Sequence, residues 1–261
     1  MRSQYGIAGL IGMMAVGGLA VACGGGSETT EAPNRPLLRI TEFTVKPGQQ
    51  ATFEAAWKEL LARREQVGSP VAVNVSVNDA GVYRVIRAMG TWENFEAYQQ
   101  ETSALPGEFP AEAFEQSVSS ITSSIHRARP DLGYTPENPR FAGDQLTNEE
   151  YDFIKYFFIH TRPGTRQQAE DILRRMAEVR QRHDVDTPMI VTRTVAAADG
   201  PMILIRLHFE DVADSYTHSA EYMAAMGDDF QSLLNEMQGL ARHIRTSNNV
   251  VRRDLSYVPA S

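Results

Sequence analysis

The stretch RPDLGYTP at residues 129–136 recurs as RRDLSYVP at residues 252–259, an offset of 123 residues. Two shorter matches precede it in the same order: KPG at 46–48 returns as RPG at 162–164, and WEN at 92–94 returns as FED at 209–211. Their offsets are 116 and 117 residues, so the drift is small enough for short insertions to explain it. Self-similarity at one period indicates a duplication. We therefore predict two tandem copies of about 100 residues each, a typical domain size.

The copies are predicted to occupy residues 37–136 and 150–261, joined by a linker at 137–149. Each has the pattern of a βαββαβ unit, which is the ferredoxin-like order. The first copy is predicted to contain a strand at 38–46, a helix carrying Phe53 to Leu61, hairpin strands at 71–77 and 82–89, helices from 92 and at 111–125, and a last strand at 125–129. The second is predicted to contain a strand at 153–161, a helix with a capping box of Thr165 and Gln168, hairpin strands at 189–195 and 202–209, helices at 212–226 and 229–242, and a last strand at 250–255.

The strand at 153–161 is apolar on both faces, since Phe157 and Ile159 share one side and Tyr156 and Phe158 the other. A strand that is apolar on both sides is buried on both sides. A ferredoxin-like sheet has helices on one face only, so we expect the bare faces of the two copies to pack together. The predicted fold class is α+β, with two tandem ferredoxin-like βαββαβ repeats packed sheet to sheet as a barrel within one chain, around a cavity.

Several segments resemble the dimeric α/β barrel group, which includes antibiotic-biosynthesis monooxygenase (ABM) domains and NIPSNAP-type proteins. They are the strand ending in KPG at 46–48, the helix after it, and WENFEAY at 92–98. HSAEY at 218–222 resembles the second helix of ABM domains, whereas the first copy has QET at 100–102 near that place. The resemblance implies an intramolecular dimeric α/β barrel. Members of the group include cofactor-independent oxygenases of quinol-like aromatics, haem-degrading enzymes and many proteins without known activity.

The N-terminus is typical of an export signal. After Arg2, residues 6–21 carry no charge, and this stretch is shorter than the roughly 20 residues of a membrane span but suits a signal peptide. LAVAC at 19–23 resembles a bacterial lipobox, which implies cleavage before Cys23 and lipid attachment to its sulfur. The alternative is an ordinary signal peptide cut nearby, with an incidental cysteine.

We therefore predict a lipoprotein signal peptide at 1–22 and a flexible polar tether at 23–36. The protein is expected in the cell envelope, bound to the membrane through its lipid anchor and facing the periplasm or the exterior. Gly24 rather than Asp follows Cys23, which resembles the pattern of lipoproteins sent to the outer membrane where the organism has one.

The composition excludes several classes of function. A net charge of −8 disfavours binding to a nucleic-acid backbone, so no nucleic acid is expected as a partner. A single cysteine rules out internal disulfides and Cys-rich metal sites. The sequence has no P-loop, dinucleotide-binding glycine pattern or HExxH motif, and Trp57 and Trp92 lack the Asn, Trp and His pattern of the haem-degrading branch. We therefore expect no metal and no cofactor.

Strand parity suggests which polar side chains enter the predicted cavity. On the strand at 202–209, Ile203 and Ile205 share a face suited to packing on helices, so Arg206 and His208 should point inward. Arg87 lies at an offset of 119 from Arg206 and is therefore its predicted counterpart in the first copy. The inward faces of the first strands of the two copies supply Glu42, Tyr156 and His160. The predicted lining comprises Tyr156, His160, Arg206, His208, Arg87 and Glu42. The alternative is structural: His160 and His208 are solvated near strand ends, and Arg87 and Arg206 pair with Glu42 or another carboxylate to join the halves.

Three functions remain open at the level of sequence. The first is a lipid-anchored envelope protein that binds a small aromatic or amphiphilic molecule in the barrel cavity. The second is an ABM-like, cofactor-independent monooxygenase with His218 or His160 as the catalytic base. The third is a structural or interaction module whose barrel is packed solid and takes no ligand.

Overall fold

The structure is a computed structural model that describes residues 35–103, 105, 107, 110–141, 151–197 and 200–259. The predicted signal peptide, Cys23 and most of the predicted tether and linker lie outside these residues. Among the helices so described, none is long and apolar enough to cross a membrane.

The described chain contains two similar successions of strands and helices. In the first half they are β1 (Leu37–Val45), α1 (Gln50–Gln66), β2 (Val73–Val77), β3 (Val82–Gly90), α2 (Phe95–Ser103), α3 (Ala111–Ser117) and β4 (Val118–Ala128). In the second half they are β5 (Phe153–Thr161), α4 (Arg166–Arg182), β6 (Ile190–Ala197), β7 (Met202–Phe209), α5 (Val212–Leu240) and β8 (Ala241–Val251). Short 3-10 turns lie at Trp92–Asn94, Pro130–Leu132 and Arg253–Leu255.

The strands form one closed antiparallel barrel in the order β1-β3-β2-β8-β5-β7-β6-β4. Each half contributes a four-stranded sheet of ferredoxin-like order, β4-β1-β3-β2 and β8-β5-β7-β6. The sheets join at both edges, where β4 pairs with β6 and β2 pairs with β8. The predicted fold class is therefore confirmed: the chain forms a dimeric α/β barrel within one polypeptide, and closure pairs strand edges that would otherwise be exposed.

Alternation along the strands separates an inner core from two outer cores. Phe157 and Ile159 pack outward with α4 and α5, while Tyr156 and Phe158 lie inside the barrel. In the first half, Phe43 packs outward with residues of α1 and α3. The two-sided apolar pattern of β5 therefore has the physical cause predicted for it, since each sheet is covered by helices on one face and by the other sheet on its second face.

The last strand of each half is longer than the sequence pattern predicts. A helix was expected over 111–125, but α3 ends at Ser117 and β4 begins at once. Likewise, α5 ends at Leu240 and β8 replaces both the end of the predicted helix and the short strand at 250–255. Both strands turn polar side chains such as Thr122 and Ser247 toward the barrel interior, so they lack the apolar alternation that identifies a strand.

The start of α4 also differs from the prediction. Thr165 precedes the helix, but its hydroxyl donates to the carbonyl oxygens of Arg162 at 2.8 Å and Leu240 at 3.3 Å. It makes no side-chain capping bond to α4, so the predicted capping box with Gln168 is wrong. The hydroxyl instead joins the start of α4 to the end of α5.

The repeated stretches at 129–136 and 252–259 are exchanged between the halves. Leu132 is buried in the outer core of the second half, and Leu255 in the outer core of the first. Trp57 Nε1 of α1 donates to the carbonyl oxygen of Leu255 at 2.8 Å. Each half therefore completes the other's core with its own last residues.

Candidate functional site

Five of the six side chains predicted to line a barrel cavity lie inside the barrel. Tyr156 and Arg206 are opposite each other on β5 and β7, and both are buried, as is His208. Glu42 and His160 line a cavity of about 390 Å³ at one end of the barrel. A ligand-binding role for these residues stays a prediction.

Arg87 is the exception. Tyr83 and Val85 of β3 pack outward against α1, and Arg87 shares their face. Arg84 points inward instead and is 0% exposed. The prediction for Arg87 is wrong because it uses an offset of 119 residues, whereas the pairing registers relate β3 and β7 by 120. A slip of one residue reverses the face of a strand.

Glu42 is held between two guanidinium groups at the wall of the barrel cavity. It accepts hydrogen bonds from Arg84 Nε at 3.0 Å and Arg245 Nη2 at 3.1 Å. The two guanidinium groups also lie over the ring of Phe158, at 4.7 and 3.8 Å from its centroid. Burial opposes ionisation of Glu42, but the two positive charges outweigh it and hold its pKa below the usual value. Two arginines thus share one carboxylate.

His126 and His208, two histidines buried inside the barrel, are neutral at pH 7. Burial lowers the pKa of both His126 and His208 to about 3, and the charge of Arg206 adds to the effect. His126 is hydrogen-bonded to Ser124 Oγ at 2.9 Å and Thr192 Oγ1 at 3.2 Å. Imidazoles held neutral in this way are weak bases, and the bond between His126 and Thr192 ties β4 to β6.

A second cavity, of about 410 Å³, lies between the outward face of the second sheet and helices α4 and α5. Its wall is almost entirely apolar. The apolar lining residues are Phe157, Ile159, Met176, Met189, Ile205, Leu207, Phe209, Met223, Met226, Phe230, Leu234, Met237 and Ile244. Helix α5 bends at Gly227, where φ is +55°, so that residues from both sides of the bend reach the cavity. An apolar pocket with a few polar groups is the usual form of a small-molecule site.

Three titratable side chains lie in the wall of this cavity: Lys155, Tyr222 and Arg180. Lys155 Nζ lies 3.5 Å from Ser219 Oγ, and burial lowers its pKa. Tyr222 donates its hydroxyl proton to Asp186, and burial together with this bond raises the pKa of Tyr222 to about 12. The third group, Arg180, is 3% exposed. Because a buried amine gives up its proton more readily, Lys155 is the candidate general base of the cavity.

Neither predicted catalytic histidine lines the apolar cavity. His160 lies on the other side of the sheet, with its ring centroid 5.5 Å from that of His243. His218 is partly exposed on α5, and its Nδ1 is 2.5 Å from Asp214 Oδ1. Among the described lining residues of the apolar cavity there is also no His or Cys to supply the usual proximal bond to a haem iron, so the residues present do not fit haem.

The outer core of the first half is built around a cluster of aromatic rings. The rings of Phe43, Phe53, Trp57, Tyr83 and Phe114 form one cluster with centroids 4.7 to 6.4 Å apart. The second half has smaller side chains at four of the equivalent positions: Ile159, Ala169, Leu173 and Ile203. Of these four residues Ile159 alone lines the apolar cavity, so the two halves differ in the side-chain volume of their outer cores, and the bend of α5 at Gly227 also shapes the cavity.

Sequence reasoning missed Lys155 and Arg180, although both leave a signal. Lys155 stands between Phe153 and Phe157 on a face that packs against helices, where lysine is rarely buried. Arg180 follows Met176 by four residues and therefore belongs to the buried stripe of α4. A charged residue on an otherwise apolar face is the pattern that identifies this site.

Neither a family model nor a curated protein matches the sequence. Solved structures do resemble the fold. An anthrone oxidase-like protein is 8% identical with a TM-score of 0.62, over 87% of this chain and 95% of its own. A proposed monooxygenase from Fusobacterium nucleatum is 10% identical with a TM-score of 0.56, over 84% and 94%. Chlorite dismutase from Candidatus Nitrospira defluvii is 9% identical with a TM-score of 0.50, over 85% and 93%.

At such identities the similarity establishes the fold alone. The chain is an α+β protein with the dimeric α/β barrel fold, similar to ABM-like proposed monooxygenases and to chlorite dismutase.

Proposed function

We propose that this protein is an ABM-like, cofactor-independent monooxygenase that acts on an apolar aromatic molecule. The observation that carries the proposal is the apolar cavity of about 410 Å³ with Lys155 in its wall. Burial lowers the pKa of that lysine and so increases its neutral fraction. Similarity of fold to proposed monooxygenases and to an anthrone oxidase-like protein supports the same class of reaction.

The proposed substrate has a methylene group made acidic by flanking aromatic rings. Neutral Lys155 Nζ takes one methylene proton, the resulting carbanion reduces O₂ as a C–O bond forms, and the lysine returns its proton to the peroxide. Loss of the second C–H proton then breaks the O–O bond and releases water. The balance is one O₂ consumed, one CH₂ converted to a carbonyl and one H₂O formed. An apolar wall protects the carbanion from reprotonation by water.

Oxygen uptake with anthrone and a panel of hydroxylated tricyclic aromatics tests this proposal. We expect the protein to consume one O₂ per carbonyl product without added metal or flavin. Lys155→Met should lower kcat by about 100-fold or more, since a positioned base supplies about 10²- to 10⁴-fold. Lys58→Met, which alters an exposed lysine of α1, is the matched control and should keep the wild-type rate. Uptake no faster than with heat-inactivated protein, or equal rates for wild type and Lys155→Met, contradicts the proposal.

A second candidate function is binding of a small amphiphilic molecule in the barrel cavity, without turnover. It is favoured by the polar wall there, where Glu42 lies between Arg84 and Arg245. Mass spectrometry of the native mature protein should then detect a small molecule that co-purifies, and Met202→Trp, which narrows only this cavity, should release it. A molecule retained by Met202→Trp belongs elsewhere and removes this candidate. Because the described structure contains these two cavities, the monooxygenase and the ligand-binding protein are both favoured over an interaction module whose barrel is packed solid.

We further propose that the mature chain begins at Cys23 and is held by lipid in the cell envelope, facing the periplasm or the exterior. The lipobox-like LAVAC at 19–23 supports this proposal. Cys23→Ser should leave an unprocessed precursor of higher mass. Normal processing of that variant would favour an ordinary signal peptide instead.

A further inference from the structure

We infer that the molecule bound in the apolar cavity carries a carboxylate on an apolar body, and that Arg180 is the residue that recognises it. The inference rests on the cavity of the proposed function and specifies the chemical class of its ligand. It does not depend on whether that ligand is oxidised.

The first observation is an unsatisfied buried donor. Arg180 lines the cavity at 3% exposure, and its Nη2 donates to the carbonyl oxygen of Thr187 at 2.5 Å. Its Nε has no hydrogen-bond partner among the described residues. A buried charged donor without an acceptor is costly. An acceptor brought by a ligand removes that cost.

The second observation is a comparison within the molecule. Arg64 occupies the same place on α1 as Arg180 on α4, and Ser69 N bonds Arg64 O at 3.0 Å just as Val185 N bonds Arg180 O at 3.1 Å. In the first half, Arg64 Nη1 donates to Ser69 Oγ at 3.1 Å. The second half has Val185 at that position, so the arginine is kept while this side-chain acceptor is lost. The loss coincides with the opening of a cavity on that side.

The third observation concerns charge. Burial lowers the pKa of Arg180 only to about 10, so the group is positive at neutral pH. Asp186 acts on it at longer range, because its Oδ1 accepts from Thr187 and Tyr222 and no ion pair within 4 Å joins it to Arg180. Lys155 adds a second basic side chain, and the described lining holds no carboxylate. A mostly apolar wall, whose basic groups are Arg180 and Lys155 and whose other polar residues are Ser219, Tyr222, Gln238 and Thr246, suits a largely apolar monoanion better than a phosphate, which needs several donors.

Calorimetric titration of the mature protein with 2-naphthoate and 2-naphthamide tests the inference. The two probes have nearly the same shape, but only the first carries a negative charge. We expect 2-naphthoate to bind about 10- to 100-fold more tightly, the range of a hydrogen bond to a charged group. Arg180→Met should reduce its affinity to that of the amide. Arg182→Met, two residues along the same helix and exposed, should change neither affinity.

Val185→Ser provides a second variant that keeps the charge. It restores the internal acceptor of the first half and should weaken 2-naphthoate binding several-fold without affecting 2-naphthamide. If Arg180→Met does not fold, the wild-type comparison and Val185→Ser still decide the question. Equal affinities of wild type for the two probes, or no binding of either, overturns the inference.

Failure of this inference is distinguishable from failure of the proposed function. Tight binding of 2-naphthoate with no oxygen uptake by any substrate leaves the role of Arg180 standing and removes the oxygenase. Oxygen uptake that is equally fast for neutral substrates and unchanged in Arg180→Met supports the oxygenase and removes the proposed role of Arg180.

Discussion

Arg129, in the stretch that follows β4, forms a two-bond ion pair with Glu170 on α4 of the other half, with both N–O distances 3.0 Å. Arg252, in the stretch that follows β8, bonds Glu54 on α1 in the same manner, at 2.8 Å. Each arginine also bonds the aspartate two residues later in its own stretch. The exchanged stretches therefore clasp the first helix of the opposite half through one duplicated contact.

Breaking one clasp should destabilise the fold. Glu170→Gln removes the carboxylate that pairs with both Arg129 and Arg193, while Arg129 keeps its pair with Asp131. We expect the free energy of unfolding in urea to fall by about 2 to 3 kcal/mol, below the range of about 3 to 5 for a wholly unpaired buried charge. Glu236→Gln removes an exposed carboxylate that pairs with Arg175 and should leave the urea midpoint almost unchanged. Similar effects of the two variants would mean that the clasp is not a stabilising contact.

Substitution of Gly227 tests whether the fold requires the bend of α5 at that residue. A Cβ at Gly227 would meet nothing within 4 Å, so Gly227→Ala costs only the strain of a positive φ, about 1 to 2 kcal/mol. Gly239→Ala, in the same helix with equally open surroundings, should instead stabilise the protein by about 0.5 to 1 kcal/mol. Thermal unfolding of both variants measures the difference. Stabilisation by Gly227→Ala would show that the bend is not required.

The buried histidines should make the fold sensitive to mild acid. His208 has a folded pKa of about 3 against about 6.5 in the unfolded chain. Its contribution is therefore complete above pH 6.5 and is lost as the pH falls toward 3, with a slope of up to about 1.4 kcal/mol per pH unit. His208→Phe, which keeps a ring against Tyr151, should reduce the pH slope of urea stability between pH 6.5 and 5, while His126 keeps its own contribution. The exposed His183 is the control, and His183→Asn should retain the wild-type slope.

Glu42 should be more important for stability than its partial exposure suggests. Glu42→Gln preserves the side-chain volume but leaves Arg84, which is 0% exposed, without a carboxylate partner among the described residues. We expect a loss of about 3 kcal/mol in the free energy of unfolding. Glu59→Gln, on the surface of α1, removes a pair with Arg63 one helical turn away and should have little effect. A neutral result for Glu42→Gln would contradict a structural role for the shared carboxylate.

The sequence was sufficient to predict the barrel because the arrangement of its strands follows from the internal repeat and from the alternation of apolar residues along each strand. The repeat at 129–136 and 252–259 and the two-sided apolar pattern of β5 predict two sheets facing each other, and the barrel has that arrangement. The inward direction of Arg206 and His208 also follows from alternation. The direction of Arg87 was predicted wrongly because a one-residue error in aligning two strands moves a side chain to the opposite face of the sheet.

The apolar cavity could not be predicted in the same way, because alternation reports direction and not volume. Met176 and Arg180 fit the buried stripe of α4 whether or not a space lies beside them, and only the packed structure shows that they line a cavity. The importance of the bend at Gly227 and of the missing acceptor at Val185 likewise follows only from the residues that pack around them in the folded chain.

The aromatic cluster of Phe43, Phe53 and Trp57 has a consequence for how such a chain evolves. In an assembly of two identical subunits every substitution is made twice, so a chamber filled on one side is filled on both. Fusion of the two copies in one gene removes that constraint. One half can then keep an aromatic outer core that stabilises the barrel, while the outer core of the other half changes independently of it.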